Sequence, residues 1–515
     1  MPKVIKTLNI KEPSDWLLAS GYYVPAKWEM VIAHPRPENE TNSFARYRNA
    51  YPSVKYTCPI NINGGAYPFK YELTTAPAGM TIGSVLVESD DVLVPPSDYG
   101  IITWNSPTTG SHDVAVRVTD QDGVIKTVSW TLVVGTSNWL FIATDGNDST
   151  GDGSIGNPWA TTAALHNNLG TSADYDTDGP SVGKLIYYRE GTHNLVGMTD
   201  ANGNYRMQND HVAVVHLGYP GESVTMHMDS GHFFGQNVIT GQKDIFIGDM
   251  TLEHDETLYG TNQSFLRISA QCANASIFNC TLKDYQRGDG TENSAAFSVI
   301  GASAINYPCM SHCTVTGQSG VLFTEYDSYY AVIEHMNGDS VTSWSSMHAD
   351  NFAVVILKDN PHYVTVRCFH ANTPTAPLLA GQATCFFACY VQGDLQHVEF
   401  SYSTVCVLEH SNPGDIGTFS DFRFGSGTPI DDYHWYRNSV KGEWKLTKLA
   451  AYHPTNWSHT HNVCEGFTMP TDADLTSENN LDGVVTYFDS SLKLTGTYRT
   501  NNLGTHGAEI KPVYR

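Results

Sequence analysis

The stretch Ile247-Gly248-Asp249-Met250-Thr251-Leu252 decides the fold, because it recurs along the chain. It returns as Ile277-Phe278-Asn279-Cys280-Thr281-Leu282 and as Met310-Ser311-His312-Cys313-Thr314-Val315, with Val366-Arg367-Cys368-Phe369 as a partial copy. Sulfur-bearing residues fall at 250, 280, 313, 336 and 368, in steps of 30, 33, 23 and 32. Loosely periodic units of this size signal a solenoid, in which each coil exposes an apolar face that only its neighbours bury. Cys280, Cys313 and Cys368 are then expected to stack as an inward ladder of small hydrophobes, with no redox role. The uneven steps predict loops of differing length along one flank, where binding surfaces usually form. Stacked coils about 4.8 Å apart make a rod, and the fold class is mainly β.

Working outward, residues 471–515 contain Leu481-Asp482-Gly483-Val484-Val485 and Leu492-Lys493-Leu494, read as cap strands that cover the open end of the solenoid. Toward the N-terminus, residues 51–136 alternate in short apolar runs. Asn63-Gly64-Gly65 and Asp122-Gly123 are hairpin signals, since primed turns need positive φ. Six or seven short strands in this span fit a small β-sandwich. Residues 1–50 hold Trp16, Tyr22, Tyr23 and Trp28 without a clear period. They read equally as a docking segment or as an extra strand pair on the sandwich.

The chain has 515 residues, 53 acidic and 29 basic, for a formal charge of −24. Without basic runs such a chain does not coat nucleic acid, and its charge disfavours anionic lipid. No apolar stretch is long enough to cross a membrane as a helix. A neutral or cationic partner fits, as does a polymer read by hydrogen bonds and ring stacking. The opening Met1-Pro2-Lys3-Val4-Ile5-Lys6 lacks the apolar core of a signal peptide, so folding in a cytoplasm is expected. None of the 10 cysteines forms a Cys-x-x-Cys pair, which argues for reduced core thiols. No metal or cofactor is expected. Asp145, Asp148 and Asp152 lack EF-hand spacing, and His453, His459 and His461 have no obvious third ligand or carboxylate beside a His-x-His pair.

Two resemblances sharpen this reading. Gly64-Gly65, Pro68-Phe69-Lys70-Tyr71, Ala76-Pro77-Ala78-Gly79-Met80, Gly100-Ile101-Ile102-Thr103-Trp104 and Val116-Arg117-Val118-Thr119-Asp120 resemble, in that order, immunoglobulin-like or cadherin-like modules of bacterial and phage surface proteins. Asp145-Gly146-Asn147-Asp148, Asn157-Pro158-Trp159-Ala160-Thr161, the run from Gly183 to His193 and Gly218-Tyr219-Pro220-Gly221-Glu222 resemble the entry to right-handed parallel β-helix domains of the pectate-lyase-like class. The implied order is an extension (1–50), an immunoglobulin-like sandwich (51–136), a right-handed parallel β-helix (137–470) and a cap (471–515). It resembles bacteriophage tailspikes and receptor-binding proteins.

That resemblance implies a homotrimeric virion protein, joined to other tail proteins through its N-terminal segment, that binds and degrades bacterial surface polysaccharide. Glycan cleavage needs two carboxylates, or a carboxylate and a proton carrier, across a groove. The richest stretch is 323–351, and the expected catalytic residues are Glu325, Asp327, His348 and Asp350. Each pair is two residues apart and shares a face if the backbone is a strand. Crowded titratable groups split into acid and base roles. Tyr326, Tyr329, Trp344 and Trp435 are the expected sugar-stacking rings. Two weaker acidic groups are Asp431-Asp432 and Glu253-His254-Asp255-Glu256, the latter read as a loop end. A non-enzymatic virion fibre or decoration protein, and a secreted bacterial polysaccharide lyase, are the alternatives.

Overall fold

A computed structural model describes residues 26–37, 45–84, 87–89, 92–94, 96–164 and 184–194. Between 213 and 482 it describes the solenoid strands and part of their connecting turns. Two small sheets share one core near the N-terminus. One orders Asn49–Ala50, Ile125–Val134, Gly110–Thr119 and Lys70–Thr75, and the other orders Tyr56–Pro59, Ile101–Trp104 and Met80–Ile82. The two ten-residue strands pair antiparallel along their whole length. Alternate residues Val114, Val116, Val118, Val128, Trp130 and Leu132 are buried between the sheets. The two strands are joined by the expected hairpin, although not through a primed turn, since Asp122 does not share the positive φ of Gly123. Gly123 has φ 82°, and Asp120 Oδ1 accepts the N–H groups of Asp122 at 3.0 Å and Val124 at 2.8 Å.

Asn63-Gly64-Gly65 behaves differently from expectation. Both glycines take positive φ, 66° and 71°, but no hairpin forms between sequence neighbours. Asn61–Asn63 pairs instead with Val31–His34 from the preceding extension. The turn is held in place from outside: a Cβ on Gly64 would lie 2.4 Å from Trp28 Cδ1. Within the extension, Met30, Ile32, Ala33 and Tyr47 are buried.

From Trp139–Ile142 to Leu481–Asp482 the chain forms a parallel β-helix, with thirty strands among the described residues. Strand Lys184–Tyr188 pairs in parallel with Ala213–Gly218, which pairs with Asp244–Gly248, then Asn274–Phe278, Pro308–Ser311 and Val332–Asp339. Ile247, Ile277, Met310, Ile333 and Val366 stand in register on successive coils and are at most 2% exposed. Fully burying each such side chain contributes about 1.5–3 kcal/mol, so the solenoid is stabilised coil by coil.

The corner after this strand has one left-handed residue per coil: Asp249 (φ 59°), Asn279 (51°), His312 (57°), His335 (54°) and Cys368 (51°). Asp, Asn and His are the non-glycine residues that tolerate this region best. A second left-handed column holds Tyr307, Tyr330 and Tyr363, with φ between 58° and 61°. Bulky residues rarely adopt this conformation. Here the rings stack at 5.0 and 4.8 Å, the Arg36 guanidinium lies 3.7 Å over Tyr307, and Trp28 meets Tyr363 edge-on.

These corners correct the cysteine ladder. Cys280 and Cys313 do stack, the Cys280 N–H donating to Cys313 Sγ at 3.5 Å. Cys368 does not continue them. The register sets Met336 beside Phe369, so Cys368 belongs to the left-handed column one position earlier. That offset turns it to the opposite face, where its Sγ donates to Tyr67 Oη of the sandwich at 3.3 Å.

The sandwich lies along the solenoid flank. Val54 and Ile101 pack with Phe141, Leu185, Leu217, Phe246 and Phe278 on the outward face of the first coils. Further along, the contact is polar and fully buried. Asn61 Nδ2 donates to Glu334 Oε1 at 2.9 Å, and Asn63 Nδ2 to the carbonyls of Ala331 at 3.0 Å and Tyr363 at 2.6 Å. Arg367 donates to Ile62 O at 3.2 Å and Gly64 O at 2.6 Å. Buried polar groups of this kind demand partners, so they set where along the rod the sandwich sits.

Candidate functional site

A groove of about 400 Å³ opens where the sandwich meets the solenoid corner. One wall is the turn Tyr219-Pro220-Gly221-Glu222-Ser223, a longer link than the corners of the following coils. The floor is the start of the left-handed column, Asp249 and Asn279, with Thr251 and Thr281 beside it. The sandwich supplies the opposite wall through Lys55 and Thr57.

Arg189 fixes the turn. Its Nε donates to both Glu222 oxygens, at 3.0 and 2.8 Å, and Nη2 donates to Oε1. The Glu190 N–H adds a bond to Glu222 Oε2 at 2.8 Å. The hydrogen bond from Arg189 holds the Glu222 carboxyl below the usual carboxylate range. The same guanidinium lies 4.4 Å over the Tyr219 ring, and the Tyr219 ring meets Tyr187 edge-on at 5.5 Å.

Asp249 is also engaged. Asn279 Nδ2 donates to its Oδ1, and Thr57 Oγ1 donates to its Oδ2 at 3.5 Å. Both carboxylates of the groove therefore face protein donors. The groove can present hydroxyls, an amide, an ammonium and aromatic surface to a ligand. Its two carboxylates, Glu222 and Asp249, are each held in place by protein donors.

Beyond the groove the outward sheet face continues it. Thr192, Thr225, Thr251, Thr281 and Thr314 stand in register on successive coils. Two residues on, Asn194, His227, Glu253 and Lys283 form a second outward row, with His227 Nδ1 4.0 Å from Glu253 Oε1. Glu253 and His254 are the last two residues of the strand Thr251–His254, and Asp255 and Glu256 lie outside the described residues.

Glu325, Tyr326, Asp327, Trp344, His348 and Asp350 lie outside the described residues. Tyr329 is half-buried, and its ring stacks on His362 at 4.9 Å with 5° between planes. Trp435 is a correction. Through strand position 400 its register leads back to Val366, which is buried in the solenoid, and at 1% exposure it offers no face to a sugar. Asp148 closes the entry loop by accepting the N–H groups of Ala160 at 2.7 Å and Thr161 at 3.0 Å, and Asp152 accepts from Ser154 N–H at 2.9 Å.

The groove residues were not singled out in the sequence. Asp249 and Asn279 stand out only as members of the repeat, and Tyr219 to Glu222 only within the resemblance to β-helix entries. Lys55 carries no local signal at all, because its role comes from the seating of the sandwich.

No family model matches the chain, and no curated protein matches it in sequence. Among solved structures, a lacto-N-biosidase from Eubacterium ramulus is similar with a TM-score of 0.35 at 8% identity, over 67% of this chain and 68% of that one. The protein XylC in complex with xylose gives 0.31 at 8%, over 68% and 86%. Pectate lyase Pel9A gives 0.29 at 10%, over 70% and 82%. At these values the likenesses carry no functional argument.

Proposed function

We propose that this protein binds a polysaccharide in the groove between sandwich and solenoid and along the outward threonine row. The observation that carries the reading is the continuity of the two: Thr251 and Thr281 line the groove and also belong to the row. Parallel coils repeat about every 4.8 Å, so a polymer laid along the axis meets the same hydroxyl-bearing position again and again. Hydroxyls, an amide and an aromatic ring are the groups that read sugars by hydrogen bonding and stacking.

Because Asp249 and Glu222 are both engaged, the groove is proposed as a binding site rather than a cleavage site. Depolymerase activity remains a separate part of the proposal and rests on Glu325, Asp327, His348 and Asp350. A role as a homotrimeric bacteriophage tail protein that adsorbs to host surface glycan is the biological setting proposed for both.

The test is incubation of the full chain with surface polysaccharides of candidate bacterial hosts. Binding is read by co-sedimentation, and chain length of the polymer by size-exclusion chromatography. Retention without shortening supports binding alone. Shortening that survives in Asp350→Ala and Glu325→Ala variants removes the proposed catalytic set. Absence of retention across the whole panel overturns the polysaccharide reading.

A further inference from the structure

We infer that the sandwich is part of the binding site, with Lys55 selecting glycans that carry an anionic substituent. The inference rests on the polysaccharide reading of the groove.

Lys55 lines the groove from the sandwich side. Among the described residues it makes no ion pair or hydrogen bond. The groove's two carboxylates do not answer it. Glu222 is held by Arg189 and the Glu190 N–H, and Asp249 by Asn279 and Thr57. An ammonium has three donors and no acceptor. The hydroxyls of Ser223, Thr251 and Thr281 stand along the same groove, each able to donate. A ligand therefore meets hydroxyls that both donate and accept, and one positively charged ammonium that only donates. Carboxylate, sulfate and phosphate ester share the complementary chemistry: several acceptor oxygens and a negative charge, the combination that makes charge-assisted hydrogen bonds.

Overall charge narrows the class further. At −24 the protein repels a densely charged polyanion at long range. A local cation in such a field favours a glycan with sparse charge, in which neutral sugars occupy the threonine row and one acidic group reaches Lys55. Lys55 and Thr57 come from the sandwich, whereas Tyr219, Asp249 and Asn279 come from the solenoid. Neither part alone forms the site.

The experiment titrates wild type, Lys55→Met and Lys55→Arg, all checked for intact fold by circular dichroism, with defined glycans. The probes are neutral dextran and pullulan, hyaluronan as a carboxylate, kappa-carrageenan as a sulfate free of carboxylate, and a phosphodiester-linked capsular glycan. The expected result is binding of at least one anionic probe about tenfold tighter than the neutral ones, loss of that preference in Lys55→Met, and its retention in Lys55→Arg. Which probe responds identifies the anion. Equal affinity of wild type for neutral and anionic probes overturns the inference, and so does an undiminished preference in Lys55→Met, while the polysaccharide reading stands in both cases. Failure of folded wild type to bind any probe removes the polysaccharide reading and the inference together.

Discussion

Glu334 and Arg367 occupy equivalent positions on consecutive coils, and both are sealed beneath the sandwich at 2% and 0% exposure. Asn61 donates to one Glu334 oxygen at 2.9 Å. Burial outweighs the Asn61 bond and the Arg367 charge and pushes the Glu334 carboxyl up to about 7. The folded form therefore holds this proton more tightly than the unfolded chain, whose carboxyl titrates near 4.5. The contribution is fully present below the lower value and is lost as pH rises through the higher one. His335 and His34 act with the opposite sign. Burial lowers them to about 3 and about 4, so their contribution is lost as pH falls from 6.5 through those values. Comparing Glu334→Gln with wild type isolates the carboxyl. In urea unfolding the variant is expected to gain about 2–3 kcal/mol on wild type between about pH 5 and pH 8, with little further change above. A pH-independent difference removes the buried-carboxyl account.

Gly218 leaves room for the solenoid corner. A Cβ placed there would lie 1.9 Å from the Asp249 carbonyl oxygen, a backbone atom that cannot swing aside. Gly218→Ala is expected to cost about 3 kcal/mol by overpacking and to weaken polysaccharide binding, because Tyr219 and Asp249 move apart. Thermal unfolding and a glycan titration check both effects. A stable variant with unchanged affinity contradicts this description of the groove wall.

Tyr330 is the middle ring of the left-handed tyrosine stack. Tyr330→Ala removes both ring contacts and leaves a β-carbon at positive φ, for an expected loss of about 2 kcal/mol. Tyr330→Gly also loses the rings but relieves the backbone, and should exceed the alanine variant in stability by about 1 kcal/mol. Urea midpoints of the two variants decide this. The reverse order would mean that the greater unfolded-state entropy of glycine outweighs any backbone strain relieved at this position.

Trp435 fills the solenoid interior, so its truncation acts on folding. Trp435→Ala is expected to cost about 3–5 kcal/mol. Trp435→Phe should fold and bind glycan with wild-type affinity. Selective loss of binding in the folded phenylalanine variant would restore a ligand-facing role to the ring.

The coil architecture was legible because it is a local property repeated many times. Apolar residues spaced for burial at Ile247, Ile277 and Met310, with a turn-forming residue two or three places later, specify a strand and a corner wherever they occur. The ten-residue strands around Asp122-Gly123 were legible for the same reason. Less visible was the parity of each corner. A single left-handed residue reverses the in-and-out alternation, and so Cys368 faces Tyr67 rather than Cys313. Trp435 was misread for the converse reason. An aromatic ring beside acidic residues has the composition of a sugar site, but its register with Val366 carries it inside.

By itself the sequence determined a mainly β chain with a stacked solenoid behind a small sandwich, since these follow from periodicity and turn chemistry within each unit. Tertiary structure alone decided the groove. Thr57 and Asp249 are 192 residues apart, and no local pattern links them. They meet because buried polar bonds from Asn61, Asn63 and Arg367 hold the sandwich at one position along the rod. Those bonds act through side chains whose sequence neighbourhoods are unremarkable, and only the folded packing brings their donors to their acceptors.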